Sequence, residues 1–243
     1  MNLLFLVEGG KTEPKVYKAW LQHLFPSLTF VVRPEDMTIN TCRIIAGNGY
    51  PSMVDRQKKN PEVSRLEACL IDIVKFGNVN HFFICIDSEE NSYTDRFHEV
   101  KSKLDDLKSG CNIDSSKTEI HIIIQHCCFE TWALGNAEIP NEYSSIVSST
   151  VLSDFQAYYD ILVNDPEEMS SCPPGYIFGT KAKFHERYLQ EYLRRFGLSY
   201  SKKNPKVVAD KKYLDALKKR CESMNHLSSL KLLLDIWDSI ETL

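Results

Sequence analysis

What most constrains the fold of this chain is the alternation of short, wholly apolar runs with amphipathic stretches of helical length. Residues 3–7 form a continuous apolar run, the pattern of a strand buried on both faces. Glu8-Gly9-Gly10 ends that run, Thr12 stands where a helix cap is expected, and Glu13-Pro14 open a helix. Along residues 14–24, Val16, Tyr17, Trp20, Leu21 and Leu24 fall on one apolar stripe. Further strands are expected at residues 28–32, 81–86 and 119–125, with helices at 63–75 and 97–107. The pattern predicts an α/β core over residues 1–136, with a mostly parallel sheet flanked by helices. Helical patterns resume at 181–196, 210–221 and 227–243, so residues 137–243 read as a mainly helical extension packed on that core.

Composition narrows the setting. A chain of 243 residues with 43% hydrophobic and 26% charged residues is ordinary globular material. Its net charge of -4 means that affinity for nucleic acid must come from a local basic patch, or from metal ions bridging carboxylates to phosphate. The 8 cysteines are scattered, several inside apolar runs, and no C-x-x-C pair occurs. They read as reduced core residues of a cytoplasmic protein, with no support for a structural zinc site. Residues 1–7 are too short and lack the basic flank of a signal peptide, and no run approaches the roughly 20 apolar residues of a membrane span.

Two acidic clusters fall at the carboxyl ends of expected strands, where open α/β sheets bind ligands. Glu8 closes the first strand and is followed by two glycines that permit close approach of a ligand. Asp87 closes the strand at 81–86, with Glu89 two residues on and Glu90 beside it. Carboxylates gathered at one sheet edge repel unless a cation neutralises them, and hard oxygen donors select Mg²⁺ or Mn²⁺. Such ions support phosphodiester cleavage. Taken singly, each of these acids also reads as a solvated loop residue.

The segment Val7-Glu8-Gly9-Gly10-Lys11-Thr12-Glu13-Pro14, with Tyr17, resembles the E-G-x-K-T-E-P-x-x-Y opening of RloB-like proteins. Ile86-Asp87-Ser88-Glu89-Glu90 and Cys127-Cys128-Phe129-Glu130-Thr131-Trp132 resemble, in the same order, that family's acidic strand end and its P-C-F-E-x-W element. RloB-like proteins belong to the Toprim superfamily and are related to the nuclease half of OLD proteins. The resemblance implies a magnesium-binding glutamate at Glu8 and a D-x-D pair at Asp87 and Glu89, with Glu13 and Glu130 as further candidates for the metal shell. It further implies a nuclease effector of prokaryotic anti-phage defence, controlled by a partner ATPase. No Walker A sequence is present in the chain, consistent with a separate ATPase. Two departures stand out: glutamate replaces the second aspartate of D-x-D, and Cys127 replaces the proline of the third element.

Several of these residues also have plainer roles. Glu13 at a helix start favours the positive end of the helix dipole, Glu130 reads equally as a structural cap or pair, and Phe129 and Trp132 read as core. Lys11 reads either as a phosphate contact or as a solvated loop lysine. Lys183 reads either as a cation near a scissile phosphate or as a surface helix residue. Lys202, Lys203 and Lys206 form a local basic block suited to a phosphate backbone, or else a solvated face. His126 and His185 read as structural. The leading expectation is a divalent-metal-dependent nuclease acting on DNA or RNA, and the alternative is a non-catalytic Toprim-like module that binds nucleic acid or an ATPase.

Overall fold

The computed structural model describes residues 1–56, 63–110 and 117–241. The reading of Cys111 as a core residue lies outside them. In chain order the elements begin with β1 (Asn2–Val7), α1 (Glu13–Leu24), β2 (Thr29–Phe30) and β3 (Thr41–Ala46). They continue with α2 (Arg65–Phe76), β4 (His81–Asp87), α3 (Tyr93–Gly110) and β5 (Glu119–Gln125). Helices follow: α4 (Phe129–Ala133), α5 (Ile139–Glu142), α6 (Thr150–Tyr158), α7 (Lys181–Arg195), α8 (Lys211–Met224) and α9 (Ser228–Glu241).

The strands form one all-parallel sheet in the order β2-β3-β1-β4-β5, flanked by helices, so the chain is an α/β protein with a helical C-terminal part. β1 lies inside the sheet, where both faces are covered, which is why its apolar run is uninterrupted. β3, which pairs with β1 over its whole length, is a strand that the apolar pattern does not announce. It carries Arg43, whose Nη1 lies 2.7 Å from Asp72 of α2, and that pairing makes a charge tolerable there. α2 is delimited by local chemistry at both ends. The Ser64 hydroxyl accepts the Glu67 N–H at 3.1 Å, and Gly77 closes the helix with φ 59°, which an L side chain resists.

The chain divides into two compact units. The first comprises Met1–Ile86 and Thr94–Ile124 and contains nearly all of the sheet; the second comprises Asp87–Tyr93 and Gln125–Leu243 and contains α4 to α9. The core of the first unit is built on Phe5, Tyr17, Trp20, Phe82 and Phe83, with Phe5 and Phe83 stacked at 4.4 Å. The second unit packs Trp132, Phe155, Phe184, Tyr188, Tyr192 and Trp237. Among the described residues, no helix is long and apolar enough to cross a membrane.

Candidate metal centre

Sheet topology singles out one pair of strand ends. From β1 the chain passes through α1 to β2, on the β3 side of the sheet; from β4 it passes through α3 to β5, on the opposite side. β1 and β4 are therefore neighbours whose onward connections diverge, which is the switch point at which open α/β sheets take ligands. Val7 is in register with Cys85, and the Glu8 N–H donates to the Cys85 carbonyl at 3.0 Å. Glu8 is the first residue past β1, and Asp87 is the last residue of β4.

In the first unit, Glu8 and Glu13 are both buried, at 8% and 6% exposure. The loop after β3 wraps the first of them. The Gly47 N–H donates to the Val7 carbonyl, the Gly49 N–H to the Glu8 carbonyl, and the Tyr50 N–H to Glu8 Oε1 at 3.1 Å. Tyr50 is held in turn by the Arg96 guanidinium, 4.0 Å from its ring centre, and burial raises its phenol above the ordinary range. Glu13 is the first residue of α1, and its Oε1 accepts the Gly9 N–H at 2.9 Å. Thr12 occupies the cap position as expected but makes no side-chain cap bond. A Cβ on Gly9 would lie 2.2 Å from Glu13 Oε2, so a side chain there would displace the Glu13 carboxylate from this N–H. Lys11 is exposed.

In the second unit, the carboxylates sit in a network of side chains. Glu130, on α4, is 1% exposed; its Oε1 accepts the Tyr200 hydroxyl at 2.7 Å and lies 3.4 Å from Lys202 Nζ. Lys202 reaches Glu186 at 4.0 Å, and Glu186 pairs with Lys183 at 3.1 Å. Although burial works to lower it, the charges of Glu130 and Glu186, with Asp87 contributing, hold the Lys202 ammonium above its usual range. Lys202 is thus a partner of buried acids, whereas Lys203 and Lys206 are exposed. Lys183 is exposed on the first turn of α7. The acids after Asp87 part company. Glu90 accepts the Lys181 N–H at the start of α7 at 2.7 Å, an anion at a helix N-terminus, while Glu89 is exposed with φ 50° and donates its N–H to the Cys127 carbonyl.

Short helix α4 carries Glu130 because its neighbours are pinned. Thr131 Oγ1 accepts the N–H groups of Cys127 and Cys128 at 3.2 Å and meets His185 Nδ1 at 2.7 Å. Trp132 Nε1 donates to Ser229 Oγ at 2.7 Å, and the Tyr213 hydroxyl donates to the Ala133 carbonyl at 2.6 Å. Phe129 and Trp132 are core, and His185 is a buried structural ring that also meets the Met169 carbonyl at 3.1 Å.

Sequence reading missed Tyr200 and Glu186, which lie far along the chain from Glu130 and belong to no motif. Among the described residues it also missed two clusters whose ligand atoms lie within 4.8 Å of one another: Cys127 with Cys128 and His185, and His81 with Glu119 and His121. Neither includes any of the predicted carboxylates. In the first cluster, hydrogen bonds from Cys128 and His185 outweigh burial and lower the Cys127 thiol, while burial raises Cys128. Compared with known proteins, the chain matches no family model, no curated protein and no solved structure.

Proposed function

We propose that the chain is a divalent-metal-dependent nuclease of the RloB-like Toprim kind, cleaving phosphodiester bonds of nucleic acid. The observation that carries this reading is the switch point: Glu8 follows β1 and Asp87 ends β4, where the connections from these neighbouring strands diverge. The residues on offer suit a hard cation: Glu8 and Glu13 in the first unit and Asp87 and Glu130 in the second carry carboxylate oxygens, and three of the four are buried. Bound to these carboxylates, Mg²⁺ or Mn²⁺ would neutralise phosphate charge and make a water more acidic. Glu89, exposed, is available to the same purpose. The chain's own residues orient the acids: Tyr50 and Gly9 fix Glu8 and Glu13 by backbone N–H groups, and Tyr200 and Lys202 fix Glu130. Lys11, Lys203 and Lys206 are exposed cations suited to phosphate contacts, and Lys183 to developing charge. In this reading the protein is a cytoplasmic effector of anti-phage defence governed by a separate ATPase.

One observation favours the alternative, a non-catalytic module that binds nucleic acid or the ATPase: the Glu130 carboxylate already has an ammonium and a hydroxyl beside it. Cleavage of duplex DNA, single-stranded DNA and RNA, with Mg²⁺ or Mn²⁺ and with or without the ATPase, decides between them. Metal-dependent cleavage that falls about 100-fold or more in both Glu8→Ala and Asp87→Ala supports the enzyme. Binding without cleavage in every combination supports the module.

A further inference from the structure

At the end of β4 away from Asp87, we propose that His81, Glu119 and His121 form a site for a transition-metal dication of the zinc class, joining β4 to β5. His81 is the first residue of β4, and Glu119 and His121 are the first and third of the neighbouring strand β5. Side chains two apart on a strand share a face, so Glu119 and His121 present their donors together. His81 Nδ1 lies 3.2 Å from His121 Nε2 and 3.6 Å from a Glu119 carboxylate oxygen. Two nitrogens bound to tetrahedral zinc at its usual bond length stand about 3.3 Å apart, so the imidazole pair already has the required bite.

Two histidines and a glutamate are a zinc ligand set with a position left for water. Imidazole nitrogen selects zinc, copper or nickel over magnesium. The rings are held in place before any ion arrives. His121 stacks on Phe83 at 4.6 Å, Phe83 stacks on Phe5, and the two imidazoles lie nearly parallel at 19°. Burial lowers both imidazoles below the ordinary histidine range, with Glu119 opposing it in part, and this favours the neutral form that ligates. In the metal-free pair the close nitrogens share a hydrogen bond; on ion binding the donor ring shifts to the tautomer that carries its proton on the other nitrogen, so both facing nitrogens offer lone pairs and both rings stay neutral. The site is reachable, because the His81 and His121 side chains are 14% and 9% exposed and Glu119 is 67% exposed. The carboxylate is therefore free to close the short remaining distance. β4 runs for 7 residues, so the site stands a full strand length from Asp87, and the inference does not depend on nuclease activity.

The test is titration of the full chain with Zn²⁺ against a chromophoric chelator, and with Co²⁺ by visible absorption, in excess Mg²⁺ to fill hard oxygen sites. The expected result is Zn²⁺ binding that weakens at least about 10-fold in His81→Gln and in His121→Gln, and more modestly in Glu119→Gln. Zn²⁺ should raise the thermal midpoint of the wild-type chain and leave that of His121→Gln unmoved. Co²⁺ should give tetrahedral d–d bands without a thiolate charge-transfer band, which separates this site from Cys127, Cys128 and His185. Glu119 is exposed, so Glu119→Gln remains informative even where a histidine variant fails to fold. Unchanged Zn²⁺ affinity in the folded variants, no Zn²⁺ binding by the wild type, or a signal wholly of thiolate origin overturns the proposal.

Discussion

Glu8 and Glu13 in the first unit and Glu130 in the second are held by different means. In the first, backbone N–H groups of Tyr50 and Gly9 meet Glu8 and Glu13; in the second, the side chains of Tyr200 and Lys202 meet Glu130. Backbone donors are set by the course of the chain, so they survive most side-chain changes and fail only when the chain itself is displaced. Side-chain donors can be deleted one at a time. Glu8 and Glu13 are thus oriented through loop geometry, with Gly9 and the loop at Gly47–Pro51 as the sensitive points, and Glu130 through packing around α4.

The sharpest way to break the comparison is to empty the packing around α4. Trp132→Ala removes a fully buried ring and its bond to Ser229, and should cost about 3–5 kcal/mol in a denaturant melt. A negligible loss would show that packing does not hold α4. Next is Gly9→Ala, where the new Cβ forces the Glu13 carboxylate off the Gly9 N–H. We expect a loss of about 1–3 kcal/mol, because the displaced, buried Glu13 carboxylate loses its backbone donor. Stability equal to wild type would mean that Glu13 does not depend on that donor. Lys202→Met should cost about 1 kcal/mol, since its ammonium is part-exposed and water screens the pair. A cost as large as that of Trp132→Ala would reverse the order.

The smallest effect is a pair of opposite pH slopes. In the first unit, the Arg56 guanidinium lowers Glu67 below the ordinary carboxylate range; in the second, burial raises Glu167 above it. Glu67 therefore contributes stability that is present above its unfolded value and is lost as pH falls through its folded value. Glu167 contributes stability that is full below its unfolded value and is lost as pH rises through its folded one. Glu67→Gln and Glu167→Gln should change the pH dependence of unfolding with opposite signs in mildly acidic buffer. Matching signs would contradict this account of the two environments.

β1 and β4 were legible because a strand covered on both faces is apolar along its buried length, as residues 3–7 and 82–86 are, and β5, at the sheet edge, because Ile120, Ile122, Ile123 and Ile124 still make a short apolar run. β3 was not, because Arg43 interrupts the pattern and the Asp72 that compensates it lies on another element. The same distance problem governed the site. Glu8 and Asp87 could be read as strand-end acids, since a strand and its terminating residue are local in sequence. The partners of Glu130 could not: Tyr200 and Lys202 are brought to it only by tertiary folding, and Lys202 was hidden in a run of lysines that reads as a surface patch. His81 and His121 escaped for the same reason, as two strands and not one motif bring them together.

The proposed function requires that Glu8 and Asp87 each contribute to binding a hard divalent cation. Electron paramagnetic resonance of Mn²⁺ in the presence of the full chain measures the bound fraction directly. The account predicts that Glu8→Gln and Asp87→Asn each release most of the Mn²⁺ that the wild type holds at the same free concentration. Two folded variants that retain Mn²⁺ as tightly as the wild type would contradict it.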